Sequence, residues 1–386
     1  MNKKKIYLVI TPFFPEPDSF RGPYVLDQVK ALMRVSEYQV VVMKPCAPWH
    51  RAMDYEIDGV TVHRFRQYTI PSNLLPNRVN DWLSAQSMFR KLRSMGIHAR
   101  DLAVCHAHVT ASGAYALAVK KRNPQCVAIV QHHGFDVMSI TDGRFAKFKW
   151  HEQLCIRYGT RICNSVDINV GVSQKTLDYV KSYPGVHLKK EYVLYNGVDT
   201  TKFYPPKEKI QNERFTIGCI GNFWPLKDQM TLIKAVERLV SSGQKDILVR
   251  FIGTGATRQD CEQYVANRGL DDYFSFENEV MHDKLLTFYQ SLDLFVLPSY
   301  WEAFGCVYTE AYACGVPFIG VKGQGISEII PVEEQDWWLI EKGDDKSLAE
   351  IILDYKKNSC KQHLSRPWEI GELMKKHVKQ IESCIP

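Results

Sequence analysis

Glu302 and Glu310, eight residues apart, lie in the chain's densest run of chemically useful residues, LPSYWEAFGCVYTEAYACGVPFIG (297–320). The pattern predicts a buried strand ending at Pro298, a turn with Glu302, and a helix of small and aromatic residues with Glu310. Eight helical residues rise about 12 Å, so two such carboxylates can grip separate parts of one elongated ligand. Phe304 and Gly305 fall in the turn, where glycine lets backbone approach closely and a helix N-terminus favours an anion. The plainer reading is an ordinary helix with two solvated acids. Lys227 lies in GNFWPLKDQMTLIKAV (221–236), a strand-to-helix turn containing Asn222, where an ammonium can reach phosphate oxygens as a point charge. Its alternative is a surface lysine. In VKGQGISEII (321–330), Gly323 and Gly325 precede a helix that begins near Ile326, and successive amides in such a turn can form an anion-holding nest.

The first half offers neutral polar groups. QHHGFDV (131–137) follows a strand and places His132, His133 and Asp136 at its carboxyl end. Together with His106 and His108 in CHAH, these histidines raise the idea of a metal, but no third ligand sits at a typical spacing. A hydrogen bond from His133 to a substrate hydroxyl is the better functional reading. TPFFPEPDSFRGPYVLDQ (11–28) is a long loop with Gly22 ahead of a helix whose first position suits Pro23. FIGTGATRQ (251–259) lacks the third glycine of a dinucleotide fingerprint, so Gly253 and Gly255 read as a tight turn.

These residues need a scaffold, and the pattern supplies one. Strand candidates at 6–10, 38–43, 61–66, 102–106, 126–131 and 168–172 alternate with helical patterns such as 24–35 and 112–122. A second series follows at 215–221, 247–253, 273–277, 293–298, 316–321 and 336–340. Strands alternating with helices imply α/β architecture with parallel sheets covered on both faces, so two series imply two doubly wound domains. The divide is expected in the turn-rich stretch 195–213, giving domains 1–205 and 206–366, with a last amphipathic helix from 367 onward. A chain of 386 residues suits two such domains. Its eleven cysteines contain no CxxC pair and sit mostly in apolar runs, which fits a reducing compartment. The N-terminal MNKKK runs straight into a short strand, without a signal-peptide pattern, and no stretch reaches the roughly 20 apolar residues of a membrane span. A cytoplasmic location is the expectation.

Taken in order, YNGVDTTKFYP, GNFWPLKD, FIGTGATR, the 293–320 block and GISEII resemble glycosyltransferase family 4, the retaining enzymes of the GT-B fold. The resemblance is strongest over about 190–330 and looser in the first half, through HHGFDV, GVSQKT and the Gly22 loop. It implies two Rossmann-like domains facing across a cleft, the first for the acceptor and the second for a nucleotide-sugar donor. The helix of 367–386 would return to the first domain. It also implies roles: Glu310 on the ribose hydroxyls, Glu302 on the donor sugar, the backbone of Phe304 and Gly305 around it. Lys227 would meet the diphosphate, with amides of Gly323–Ile326 and of the Gly22 loop, and His133 would touch the sugar near its reacting carbon. No metal or other cofactor is expected beyond the nucleotide sugar itself. Two positions depart from the family pattern: Asn222 stands where many members have arginine, and Pro23 replaces one of a glycine pair.

Charge bears on the acceptor. Residues 1–205 hold 28 Lys/Arg against 16 Asp/Glu, and residues 206–386 hold 21 against 27. A basic first half suits an anionic partner, and with no nucleic-acid-binding motif a membrane or lipid phosphate is the better expectation. Segment 74–100 mixes Leu75, Val79, Trp82, Leu83, Phe89 and Leu92 with Arg78, Arg90, Lys91, Arg93 and Arg100. It reads either as a helix packed on the first domain or as an interfacial helix resting on anionic lipid at the inner face of the membrane. The expected function is transfer of a hexosyl or N-acetylhexosaminyl group to a glycan or lipid-linked acceptor in cell-surface polysaccharide or glycoconjugate synthesis. A nucleotide-sugar epimerase of the same fold and a non-catalytic sugar-nucleotide-binding protein are the alternatives.

Overall fold

The computed structural model describes residues 4–16, 22–69, 77–134, 148–208, 210–358, 362–365 and 368–385. The chain divides into two compact units, Met1–Asn196 with Ile370–Pro386, and Gly197–Glu369.

The first unit is built on eight strands: β1 (Ile6–Ile10), β2 (Gln39–Cys46), β3 (Tyr55–Ile57), β4 (Val60–Arg66), β5 (Leu102–His108), β6 (Val127–His132), β7 (Ile168–Gly171) and β8 (Glu191–Val193). Their order is β3-β4-β2-β1-β5-β6-β7-β8, parallel throughout except for the β3–β4 pair. All five residues of β1 are buried, as expected of a strand covered on both faces. From β1 the chain winds outward through β2 on one side and through β5 on the other. Loops leaving β1 and β5 therefore diverge, and the carboxyl ends of these strands form the natural place for a ligand. The last helix, Ile370–Glu382, buries Ile370, Leu373, Met374, His377, Val378 and Ile381 and packs on helix Pro23–Val35.

The second unit has six parallel strands, β9 (Phe215–Ile220), β10 (Ile247–Ile252), β11 (Phe274–Glu277), β12 (Leu294–Val296), β13 (Phe318–Val321) and β14 (Leu339–Ile340). They lie in the order β11-β10-β9-β12-β13-β14, so the winding reverses between β9 and β12. Helices Gln229–Ser241, Arg258–Asn267 and Cys306–Ala313 make the crossovers after β9, β10 and β12.

The units separate at Asn196/Gly197, inside the turn-rich stretch 195–213, and at Glu369/Ile370. From Gly197 onward that stretch goes with the second unit: Val198 N donates to Trp368 O (3.0 Å) and Phe203 packs on His282 and Tyr289. The strand expected at 336–340 is corrected. Segment 336–340 is largely helical: Gln335–Trp338 makes a turn that buries Trp338 against Tyr355, leaving Leu339–Ile340 as strand. Strands β3 and β8, three residues each and half exposed, carry too short an apolar pattern to be read in advance. None of the ten described cysteines is in a disulfide. Among the described residues no helix is long and apolar enough to cross a membrane.

Candidate active site

In the second unit the loops after β9 and β12 leave adjacent strands at the reversal point. They are stapled together: Ser299 Oγ and Tyr300 N both donate to Leu226 O, at 3.1 and 3.0 Å. That staple brings Lys227 Nζ within 2.5 Å of Glu302 Oε2. The loop after β13 joins from the other side, where Glu302 N donates to Gln324 Oε1 (2.8 Å) and Gly325 N to Glu302 O (3.3 Å). Only glycine permits this approach, since a Cβ on residue 325 would stand 1.9 Å from Ala303 O. The loop after β10 closes on the first in the same way: a Cβ on Gly253 would meet Gly221 O at 2.2 Å, and one on Gly255 would meet Phe223 O at 2.5 Å. Four loops from four strand ends thus converge around Lys227 and Glu302.

Glu310 lies on helix Cys306–Ala313 with 7% of its surface exposed. One oxygen accepts the Tyr289 hydroxyl at 2.7 Å and the other lies 3.1 Å from His282 Nε2. Burial, and then the neighbouring Glu310 charge, push the Tyr289 phenol well above its ordinary range, so it keeps its proton and donates. A carboxylate has about four acceptor directions, so two are left over after these contacts.

The structure brings most of the expected second-unit residues together and corrects the reason for their spacing. Glu302 precedes the helix, ahead of Gly305, its left-handed N-cap (φ 86°), so a loop bend and not a helical rise sets its distance from Glu310. Phe304 and Ile326 are buried at 1% and 0%, so neither residue offers open surface at the site. Gly325 and Ile326 belong to a 3-10 turn, Gly325–Ile329, and Gly323 lies in open surroundings before it. Asn222 is exposed, with its carbonyl accepting from the buried Gln229 amide at 3.3 Å. Sequence reading took Gly253 and Gly255 for a simple turn and passed over Gln324, His282 and Tyr289. The spacing of His282 and Tyr289, seven residues apart on the two sides of a helix start, was the available signal.

In the first unit Gly22 is the left-handed N-cap of helix Pro23–Val35, with Pro23 at its first position. Residues 17–21 of that loop and Asp136 lie outside the described residues. At the end of β6 successive side chains point to opposite faces. His132 turns into the core and bonds Asn169 (3.0 Å) and Thr110 (3.2 Å), while His133 faces the other way, its Nε2 2.9 Å from His108 Nδ1. Among the described residues no group of three His, Cys, Asp or Glu is arranged to hold a metal.

Two doubly wound parallel sheets, each with polar loops gathered at its strand ends, follow the plan of the GT-B fold. The Anabaena protein Alr3699/HepE, solved with UDP and glucose, superposes with a TM-score of 0.70 at 16% identity, over 98% of this chain and all of that one (100%). The sequence model "Glycosyltransferase Family 4" matches residues 22–202 and "Glycosyl transferases group 1" matches 200–369. The chain belongs to glycosyltransferase family 4. Among curated relatives it is 29% identical to the lipopolysaccharide core biosynthesis mannosyltransferase LpsB of Rhizobium meliloti, over 40% of this chain and 46% of that protein. It is 27% identical to a GDP-mannose-dependent monoacylated alpha-(1-6)-phosphatidylinositol monomannoside mannosyltransferase of Corynebacterium glutamicum, over 50% and 54%. The chain thus spans about half the length of these relatives.

Proposed function

We propose that this chain transfers a sugar from a nucleoside-diphosphate donor to a glycan or lipid-linked acceptor, with retention at the anomeric carbon and without a metal. The observation carrying the proposal is the Lys227–Glu302 pair, held by converging loops in the same unit as a buried Glu310 with spare acceptor capacity. Glu310 takes the ribose hydroxyls, Glu302 the sugar hydroxyls, and Lys227 with the exposed backbone of Gly323 the diphosphate. In the reaction the bond from the anomeric carbon to the phosphate oxygen breaks, and its electron pair leaves with the nucleoside diphosphate. The acceptor oxygen bonds to that carbon from the same face, and its proton passes to the departing phosphate. A fixed cation and oriented amides stabilise the charge growing on that oxygen. His133 acts on the sugar near the reacting carbon. Relatives named for lipopolysaccharide and phosphatidylinositol mannoside synthesis favour a cell-surface or lipid-linked acceptor.

A thermal-shift series with UDP-, GDP- and ADP-sugars tests the reading. One donor raises the melting temperature of the wild type by mass action and not that of Lys227→Ala. No stabilisation by any of the three, or epimerised donor formed without acceptor, overturns it.

The first unit is proposed to rest on anionic lipid at the cytoplasmic face. Helix Arg78–Ser94 leaves Val79 and Trp82 66% and 61% exposed beside Arg78, whereas Phe89 and Leu92, expected as anchors, are core residues and Lys91 pairs with Asp54. Residues 74–76 lie outside the described residues. The contact is confined to the helix start, and flotation with anionic vesicles at low salt detects it. A chain left at the bottom of the gradient removes it.

A further inference from the structure

We infer that His108 is a positioning residue for His133, the near end of a buried column of rings that runs through the last helix of the first unit to β8. The inference rests on the role proposed above for His133.

It begins with strand geometry. His106 and His108, two apart on β5, point to the same face of the sheet, and their rings stack with centroids 4.6 Å apart and an interplanar angle of 21°. β6 runs beside β5 with Gln131 opposite His108, so His133 emerges just past it. The His108 and His133 rings are nearly parallel, 13° apart, and joined by the 2.9 Å contact between Nδ1 and Nε2. Two neutral imidazoles facing each other share a single hydrogen at such a contact. Whichever ring donates, the tautomer of its partner is fixed, and with it whether the remaining His133 nitrogen, the buried Nδ1, carries a hydrogen.

Below the stack the column continues as a hydrogen-bonded chain. Tyr7 Oη lies 2.7 Å from His106 Nδ1 and 2.8 Å from His377 Nε2, and His377 Nδ1 lies 2.9 Å from Tyr192 Oη. Tyr7 has one hydrogen to give, so it donates to one histidine and accepts from the other, coupling their tautomers. Tyr7, His106, His108 and His377 are 0 to 3% exposed, and burial holds all three histidines below their ordinary range, so the rings stay neutral. The residue after His108 adds a constraint. Val109 has φ 67° and ψ 148°, a region that β-branched residues avoid, and its N–H is tied to Gln131 O at 2.9 Å. The backbone thus turns sharply out of β5 just past the His108 ring, which is held under His133. A core built for stability alone has no use for polar rings in a sheet of valine and isoleucine, because each must find a partner away from water.

Two substitutions separate a hydrogen bond from mere packing. His108→Phe keeps the stack and loses the nitrogen, whereas His108→Asn places an amide near the position of Nδ1. Turnover of His108→Phe is expected to fall about 100-fold, as for a displaced reacting group, with donor KM little changed. His108→Asn recovers most of the loss, and His108→Phe adds nothing in a His133→Ala background. Wild-type turnover in His108→Phe with a large loss in His133→Ala overturns the positioning inference and leaves the site reading standing. Wild-type turnover in His133→Ala overturns both. Equal loss in the Phe and Asn variants at equal melting temperature also overturns the inference. Should the Phe variant not fold, nitrogen-15 spectra of the wild-type histidines serve instead: a single tautomer at His133 supports the coupling, and an averaged one overturns it.

Discussion

The polar groups of the two units follow opposite rules. In the second unit the central pair is charged, and its side chains are partly open to water, 21% for Lys227 and 16% for Glu302. In the first unit the polar groups are neutral rings sealed in the core. Water near the strand ends offsets part of the cost of bringing charges together, whereas a charge in the column would meet a desolvation penalty of several kcal/mol. The difference suits different tasks. A group proposed to meet a travelling anion needs charge and access, and the Lys227 charge is paired with Glu302. A group that aims another side chain needs fixed geometry and no competing solvent.

The largest expected effect breaks the charged side of this comparison. Lys227→Ala is expected to lower kcat/KM by about 100- to 1,000-fold, or ~3–4 kcal/mol of transition-state stabilisation. A change below threefold in steady-state assays means the ammonium is not the anion handle. A smaller effect sharpens the neutral side. His106, His108 and His377 have folded values below the ordinary one, with His377 held down to about 3 by burial. On acidification the unfolded chain therefore takes up protons first. Stability is whole above about pH 6.5 and drains as pH falls, by about 1.4 kcal/mol per pH unit for each ring that stays neutral. Denaturant midpoints at pH 7 and 5.5 read this loss, and His377→Leu should flatten it. Identical slopes in the two proteins would mean that the folded state already charges this ring. The smallest effect lies at Glu310. Tyr289→Phe removes one of its hydrogen bonds, and donor KM is expected to rise about fivefold, ~1 kcal/mol, with kcat little altered. An unchanged KM separates Tyr289 from donor binding.

How much of this was legible depended on range. Apolar runs and their turns announced both sheets, because a strand buried on two faces writes its burial into consecutive residues, as in Ile6–Ile10. Lys227, Glu302 and Gly325 could be suspected one at a time from local turn chemistry. Their convergence could not, since it is made by contacts such as Ser299 to Leu226 and Glu302 to Gln324 between segments far apart in sequence. His106 and His108 were visible as a pair, but the only joint role their spacing suggested, a metal site, was already disfavoured by the lack of a third ligand. Tyr7, Tyr192 and His377, which complete the column, come from both ends of the first unit and follow no spacing a single sequence reveals. The point within 195–213 at which the units part is likewise set at long range, because the pairing of Val198 with Trp368 joins residues on opposite sides of the whole second unit.

The discontinuity of the first unit bears on how the chain is made. Its opening 196 residues emerge from the ribosome long before helix Ile370–Glu382, which supplies His377 and covers helix Pro23–Val35. Domains commonly fold in the order of their synthesis, but this one must wait with Tyr7 short of a partner and an apolar face uncovered until translation has passed the second unit. A premature stop before residue 370 therefore damages a unit made well before the stop, not only the segment after it.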